Sequence, residues 1–268
     1  MTAGSGRALR IPRKSPQELQ HMAAAGAITA QALAAVAQAV GPGVSSLELD
    51  NIAEAVIREA GATPSFKGYR GYPGTLCVEI NDVVVHGIPR ADEIVQEGDI
   101  VGLDIGACYQ GYHGDAATTV AVGTVSEVAR RLLEATETAL GIGVERAQSG
   151  GLLGDISQGI AQHVEAQGFS CVTDLVGHGI GRQMHEAPQV PNFYDPRQFR
   201  DYEVRLRPGM VLAIEPMVNA GGAALRLDPD QWTMRTADGQ LSAHFEHTVA
   251  ITKEGPVILT TTQRVRIA

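Results

Sequence analysis

Polar caps followed by alanine- and leucine-rich segments predict helices in the first sixty residues. The sequence SPQE at 15–18 combines a Ser cap, a Pro in the first turn and a Glu three residues after the cap, so a helix should begin there. The alanine-rich segment that follows should remain helical until the Gly-Pro-Gly at 41–43. The sequence SSLE at 45–48 starts a second predicted helix, which ends near Gly61.

Apolar runs follow these helices, after a loop rich in Gly, Tyr and Pro, and the same order then occurs again. Two blocks of paired helices followed by strands predict two pseudo-symmetric halves, about 14–125 and 126–268, in a single α+β domain. The halves should share one antiparallel-rich sheet with helices on one face. Residues 1–13 are expected to form a flexible arm. The remaining predictions are a loop at 66–74, strands near 75–80, 83–86, 100–107, 112–122, 171–176, 210–218, 243–251 and 256–261, and helices near 126–148 and 154–167.

Composition narrows the class of protein. The chain has 268 residues, 44% of them apolar, which is enough for a sizeable core. The formal net charge of -9 argues against non-specific binding to nucleic acid or membrane surfaces. Cys77, Cys108 and Cys171 are few and widely spaced, so reduced thiols in a cytosolic protein are expected. No secretory signal and no apolar run long enough to span a bilayer is predicted.

Two internal repeats bring candidate chemistry together. The sequence VVVHGIP at 83–89 matches LVGHGIG at 175–181, and each places a His before Gly-Ile. The sequence GDIVGLD at 98–104 matches GMVLAIE at 209–215, and each apolar run ends in a carboxylate. Because an unpaired buried carboxylate is costly, these strand ends predict a site where cations neutralise the acids.

Five potential metal ligands emerge from these repeats and their surroundings. Carboxylate oxygens with one imidazole suit first-row divalent metals, and two metals bridged by carboxylates form a hydrolytic centre. Asp104 and Asp115 flank a predicted hairpin, which lets the two acids meet across adjacent strands. The candidate ligands are Asp104, Asp115, His178, Glu215 and Glu246.

Three further histidines lie close to these candidates in the sequence. His113 would share the strand face of Asp115, and a supporting or structural role is favoured for it, although the sequence does not exclude ligation. His244 would share the face of Glu246 and His247 would point the other way, and both are interpreted as non-ligands.

At this point the chain resembles the type I methionine aminopeptidases, which have the pita-bread fold. The resemblance covers nearly the whole chain from about residue 12, and its motifs are specific only in combination. The absence of a zinc-binding extension and of a long insertion in the second half favours the short bacterial-like form. The matching motifs are GYRGYPGTLCVEIND at 68–82, VVHGIP at 84–89, GDIVGLD at 98–104, GYHGD at 111–115, GHGIGRQMHE at 177–186, RPGMVLAIEPMVN at 207–219 and FEHT at 245–248.

The resemblance implies a role for each ligand and a pair of divalent ions, with Co, Mn, Fe and Zn all acceptable. Asp104 would chelate one metal, Asp115 and Glu246 would bridge both, and His178 with Glu215 would complete the second. Glu215 would also carry a proton during hydrolysis.

The resemblance further implies how substrate is held. His86 and His185 would contact the scissile amide. Phe66, Arg70, Met184 and Gly102 depart from the residues common in relatives, which affects the shape of the pocket but not the metal chemistry. The methionine side chain would lie among Tyr69, Tyr72, Cys77, Met184 and Trp232.

The implied activity is removal of the initiator methionine when the second residue is small. Substrates would be N-terminal Met peptides and nascent chains, with the ribosome as a candidate place of encounter, and a monomeric cytoplasmic enzyme is expected. One alternative is a proline-specific peptidase of the aminopeptidase P or prolidase type, which would need an additional N-terminal domain. Others are a catalytically dead binding protein and a metal-free, creatinase-like hydrolase, both of which would lack ligands that are present here.

Overall fold

Strands of both halves form one large sheet, and helices of both halves pack against it. The computed structural model describes residues 11–195, 197, 200–263 and 265, so residues 1–10 of the expected arm lie outside the described part. The helices are α1 (Pro16–Ala39), α2 (Ser46–Glu59), α3 (Glu127–Arg146) and α4 (Leu153–Ala166). The strands are β1 (Thr63–Pro64), β2 (Leu76–Ile80), β3 (Val83–Val85), β4 (Ile100–Tyr109), β5 (Tyr112–Ala121), β6 (Ser170–Cys171), β7 (Gly177–Gly179), β8 (Glu186–Val190), β9 (Val211–Ile214), β10 (Met217–Asn219), β11 (Leu225–Leu227), β12 (Met234–Thr236), β13 (Ser242–His244), β14 (Glu246–Ile251) and β15 (Pro256–Ile258).

The two predicted capping boxes are confirmed. Ser15 caps α1 and Ser45 caps α2, and in each case the Glu three residues later bonds back to the backbone N–H of the cap. Each box satisfies two backbone donors that the first turn of a helix leaves free. The helix starts read from the sequence are therefore correct to within a residue.

Strands from both halves form a nine-stranded sheet. Its order is β1-β4-β5-β14-β9-β7-β8, with β2 on β4 and β15 on β14. The halves meet where β5 pairs with β14, through Glu246 opposite Ala117 and His247 opposite Ala116. All strand pairs in the described residues are antiparallel, which confirms the predicted α+β arrangement.

Two long strands predicted from the sequence are each broken in two. The predicted strand 210–218 is interrupted at Glu215 and Pro216, and the predicted strand 243–251 is interrupted at Phe245. The reason is that β9 and β14 stay in the large sheet, whereas β10 pairs with β13 on one side and with β6 on the other in a second sheet. Pro216 suits this break because proline has no N–H for a strand ladder. The breaks place two carboxylates at the boundary between the sheets.

Helix α1 corrects one expectation from composition. Its 24 residues are long and apolar enough to cross a membrane by length and composition alone, so the prediction that no run reaches this threshold is wrong. In the fold, Ile28, Ala32 and Val36 of this helix lie in a buried cluster with side chains of α2, β2 and β4. The same test is passed by core helices of globular proteins.

The segment before α1 is held on the second half of the chain. Ile11 packs against the core around α3 and α4, and Arg13 Nε donates to the carbonyl of Pro208 over 2.8 Å. Lys14 forms a buried ion pair with Glu186, with Nζ 2.6 Å from Oε2. These contacts lie next to the loop between β7 and β8.

Candidate metal centre

A cavity of 160 Å³ opens where the two halves meet. It contains every residue that the sequence singled out as a ligand, catalytic group or pocket residue. Four further side chains also line it. The full lining comprises Phe66, Tyr69, Arg70, Tyr72, Cys77, Val85, His86, Asp104, Asp115, His178, Met184, His185, Glu215, Trp232, His244 and Glu246.

The first pair of acids comes from the β4–β5 hairpin. Asp104 lies opposite Ala117 and Asp115 lies opposite Gly106, so the two carboxylates sit diagonally on neighbouring strands. Asp115 is two residues from Ala117, the partner of Asp104, and Asp104 is two residues from Gly106, the partner of Asp115. Because strand side chains alternate with period two, the two carboxylates lie on the same face of the sheet. Both are buried, Asp104 at 8% and Asp115 at 3% exposure.

The remaining candidate ligands come from the second half. Glu215 follows β9 directly, and Glu246 is the first residue of β14. His178 is the middle residue of β7, which lies between β8 and β9. A Cβ atom at Gly177 would come within 2.4 Å of the carbonyl oxygen of Ala213, so only glycine allows this close strand packing beside His178.

Hydrogen bonding fixes the tautomer of His178. Its Nδ1 lies 2.9 Å from the carbonyl oxygen of Gly179, which can only accept, so Nδ1 carries the proton. The lone pair of Nε2 is then free, and this atom lies 3.5 Å from Glu215 Oε1 and 3.8 Å from Asp115 Oδ2. A neutral imidazole with its second nitrogen bound to a carbonyl is the usual form of a metal-binding histidine.

Buried oxygens without partners test whether a metal fits. Asp115, His178 and Glu246 each place one ligand atom within 4.8 Å of the other two. Unsatisfied buried carboxylate oxygens are costly, and divalent cations are the groups that such a donor set suits. The oxygens that lack a hydrogen-bond partner include Asp104 Oδ1, Asp115 Oδ1, Glu215 Oε1 and Glu246 Oε1.

Burial and mutual repulsion make these acids hold protons when no cation is present. Burial raises the pKa of Asp104 to about 7 and that of Glu215 to about 8. Burial, followed by the neighbouring carboxylates, raises the pKa of Asp115 and of Glu246 well above the ordinary values. Cations entering the cluster therefore displace protons, and metal binding is expected to weaken as the pH falls.

Two further histidines, His86 and His185, line the cavity with the acids. Burial lowers the pKa of His86 to about 4 and also lowers the pKa of His185, so both rings are neutral near pH 7. His185 Nδ1 is 2.9 Å from the hydroxyl of Tyr69, and its ring centroid is 4.2 Å from that of His178. His86 has a φ of 59°, a conformation that is uncommon outside glycine and that clusters at functional sites.

Aromatic and sulfur-containing side chains also line the cavity. Tyr72 and Trp232 meet edge to face with centroids 5.2 Å apart, and Cys77 and Met184 are buried beside them. The hydroxyl of Tyr72 donates to the carbonyl of Gly87 over 2.8 Å, which holds the ring in place. Because burial raises the pKa of Cys77 well above its ordinary value, this thiol contributes an apolar surface.

Sequence reasoning missed several residues of the cavity and of its surroundings. Val85 lines the cavity from a predicted strand and was not singled out, whereas Phe66 and Arg70 line it after being named only as departures that affect the pocket shape. His244, interpreted as a non-ligand, lines the cavity, and Glu79 was not singled out at all. The shared face of His244 and Glu246 was the signal available in the sequence.

The two other nearby histidines lie away from the cavity lining. His113 Nδ1 is 2.8 Å from Ser65 Oγ, and His247 Nδ1 is 3.0 Å from Thr260 Oγ1. His113 therefore sits beside the site rather than within it.

The comparison with known proteins agrees with this geometry. The profile of metallopeptidase family M24 matches residues 20–253. The methionine aminopeptidase of Clostridium perfringens is 49% identical over 247 residues, covering 92% of this chain and 97% of that protein. Methionine aminopeptidase 1 of Bacillus subtilis is 48% identical over 247 residues, with 92% and 98% covered. This chain belongs to the methionine aminopeptidases of family M24.

Solved structures support the same assignment and the pita-bread fold. The methionine aminopeptidase of Thermotoga maritima superposes with a TM-score of 0.90 at 42% identity, covering 94% of this chain and 99% of that chain. The prolidase of Pyrococcus furiosus shares the fold at a TM-score of 0.73 but is 25% identical, and the match covers 66% of its length. The methionine aminopeptidase interpretation is thus favoured over the proline-specific one.

Proposed function

We propose that this protein is a metal-dependent aminopeptidase that removes N-terminal methionine from peptides and nascent chains when the second residue is small. The observation that carries the proposal is a group of buried carboxylate oxygens without hydrogen-bond partners, in a cavity that aromatic and sulfur-containing side chains also line. The first feature suits hydrolysis and the second suits an unbranched thioether.

The cluster is proposed to hold two divalent ions from among Co, Mn, Fe and Zn. Asp104 would bind one ion, and His178 with Glu215 would bind the other. Asp115 and Glu246 would bridge the two, because the charges of both Asp104 and Glu215 act on each of them and raise their pKa values. Such ions lower the pKa of water and polarise a carbonyl.

Glu215 is the group proposed to carry the proton. Its Oε1 is buried and has no hydrogen-bond partner, so this oxygen is available to take up and release a proton. Asn192 Nδ2 donates to the backbone carbonyl of Glu215 over 2.8 Å, which steadies the position of this residue after β9.

His86 and His185 are proposed to contact the scissile amide. Both are neutral near pH 7 and line the cavity, so each can offer one N–H and one lone pair. Tyr69 holds Nδ1 of His185, which leaves Nε2 for the substrate. Two donors placed beside the scissile group would stabilise the oxyanion that develops during hydrolysis.

The shape of the cavity is proposed to set the specificity for an N-terminal methionine. Tyr72, Cys77, Met184 and Trp232 form the aromatic and sulfur-containing lining of the cavity, where a methionine side chain would make its contacts. His86 and His185, which line the same cavity, are proposed to limit the second residue to a small one. Residues 14–268 are proposed to act as one catalytic domain, monomeric and cytoplasmic.

A peptide panel tests the specificity. The metal-loaded protein should release methionine readily from peptides that begin Met-Ala. It should release methionine much more slowly from Met-Leu peptides and leave Leu-Ala and Ala-Pro peptides uncleaved. The measurement is a competition assay that quantifies each free N-terminal amino acid. Broad release of leucine, or cleavage of the Ala-Pro peptide in preference to Met-Ala, contradicts the proposal.

A further inference from the structure

A buried Glu–His pair stands behind the metal cluster, and the mechanism above uses neither residue. Glu79 and His244 are each 2% exposed, and Glu79 Oε1 lies 3.3 Å from His244 Nδ1. His244 lines the cavity, whereas Glu79 does not. Burying such a pair carries a large desolvation penalty, so its position against the ligands calls for a function.

The pair lies next to Asp104, and His244 keeps one ring nitrogen without a partner. Glu79, Asp104 and His244 each have one ligand atom within 4.8 Å of those of the other two. Nδ1 of His244 faces Glu79, so Nε2 is the nitrogen that remains for the cavity. Both His244 Nε2 and Asp104 Oδ1 are buried without a hydrogen-bond partner. In the imidazolium form of His244, which two neighbouring carboxylates favour, Nε2 carries a proton and is complementary to this carboxylate oxygen.

Gly102 makes room for this arrangement. It lies directly opposite Glu79 in the β2–β4 ladder. A Cβ atom at Gly102 would come within 2.4 Å of Glu79 Oε2 and 2.8 Å of Glu79 Cβ. A side chain at position 102 would therefore occupy the space that the carboxylate of Glu79 takes.

We propose that Glu79 and His244 form a positioning pair for Asp104. With both ring nitrogens protonated, His244 donates from Nδ1 to Glu79, which fixes the ring, and from Nε2 to the carboxylate of Asp104. The bond holds Asp104 in the orientation that a cation requires and strengthens binding at that end of the cluster. The inference rests on the proposed function only in that Asp104 binds a cation.

Paired variants of His244 test the proposal without any substrate. Protein stripped of metal is titrated with Mn²⁺ in a calorimeter, which resolves the two binding steps. His244→Leu should weaken one step by about 10–100-fold, the usual effect of losing a residue that orients a ligand, and leave the other unchanged. His244→Gln should bind nearly as the wild type does, because its amide N–H₂ can still donate to Asp104.

His247→Leu is the matched control. His247 is on the other side of Glu246 in sequence, is bonded to Thr260 and is absent from the cavity lining, so its loss should leave both steps unchanged. Gly102→Ala gives a second route, because its Cβ displaces the side chain of Glu79 while leaving both residues of the pair chemically unchanged. It should weaken the same step as His244→Leu, and should add nothing in a Glu79→Ala background.

Several results would overturn the inference. These are wild-type affinity at both steps in His244→Leu, an equal loss in His244→Gln and His244→Leu, or a similar loss in His247→Leu. Circular dichroism and the fluorescence of Trp232, the single tryptophan, establish that each variant is folded. If the wild type itself bound no Mn²⁺, the proposed function would fail together with the inference. If the wild type bound Mn²⁺ and the variants gave any of the contrary results above, only the inference about the pair would fail.

Discussion

Glu215→Gln should lower turnover of a Met-Ala peptide by orders of magnitude while the protein stays folded. The substitution keeps the shape of the side chain but removes a charged oxygen that faces His178 and the group proposed to carry the proton. The loss of general acid–base catalysis alone is worth about 10²–10⁴-fold. The measurement is steady-state kcat with metal in excess, together with metal content after dialysis.

The control for this variant is Glu137→Gln, which makes the same chemical change on the exposed side of α3. Its turnover should equal that of the wild type. Binding of free methionine to Glu215→Gln, followed by the fluorescence of Trp232, should remain, because the aromatic lining of the cavity is untouched. Near-wild-type turnover in Glu215→Gln would remove Glu215 from the mechanism.

The second large effect separates the two histidines that occupy equivalent positions in the internal repeats. His178→Ala should weaken binding of the metal proposed to be held with Glu215, because it removes a neutral nitrogen 3.5 Å from Glu215 Oε1. Excess metal should then partly restore turnover. His86→Ala should retain its metal but lose transition-state stabilisation, seen as a fall in kcat that added metal does not restore.

Metal titration of both variants, alongside steady-state kinetics, decides between these outcomes. The repeats alone would predict the same phenotype for both, so the test is independent of the argument from symmetry. His86→Ala losing metal as severely as His178→Ala would place His86 among the ligands and require the site to be redrawn.

Local signals in the sequence were sufficient for the helices and for the acids. The capping boxes at Ser15 and Ser45 depend on residues three apart, and they predict the starts of α1 and α2. The hairpin that aligns Asp104 with Asp115 is also local, because its two strands are joined by a tight turn. The resemblance to a known family added the residues of the cavity that lie far apart in the chain.

The rest depends on contacts that no local pattern encodes. The break of β9 from β10 follows from pairing with β14 on one side and β13 on the other, so the sequence alone predicted one continuous strand. Strands β11 and β12 are three residues each, and β12 is held by pairing with the distant β3. Nothing in the sequence distinguishes Glu79 from an ordinary strand residue, because its contact with His244 at 3.3 Å joins residues far apart in the chain.

The most direct test of the central claim is the rate of methionine release before and after complete removal of metal. The protein is stripped by chelation, its residual metal is measured by elemental analysis, and a Met-Ala peptide is assayed while Mn²⁺ or Co²⁺ is added back in known ratios. The buried carboxylates are proposed to hold the cations that activate water for hydrolysis. The stripped protein should therefore be inactive, and activity should return with added metal. Full turnover in a sample verified to be free of metal would contradict the account.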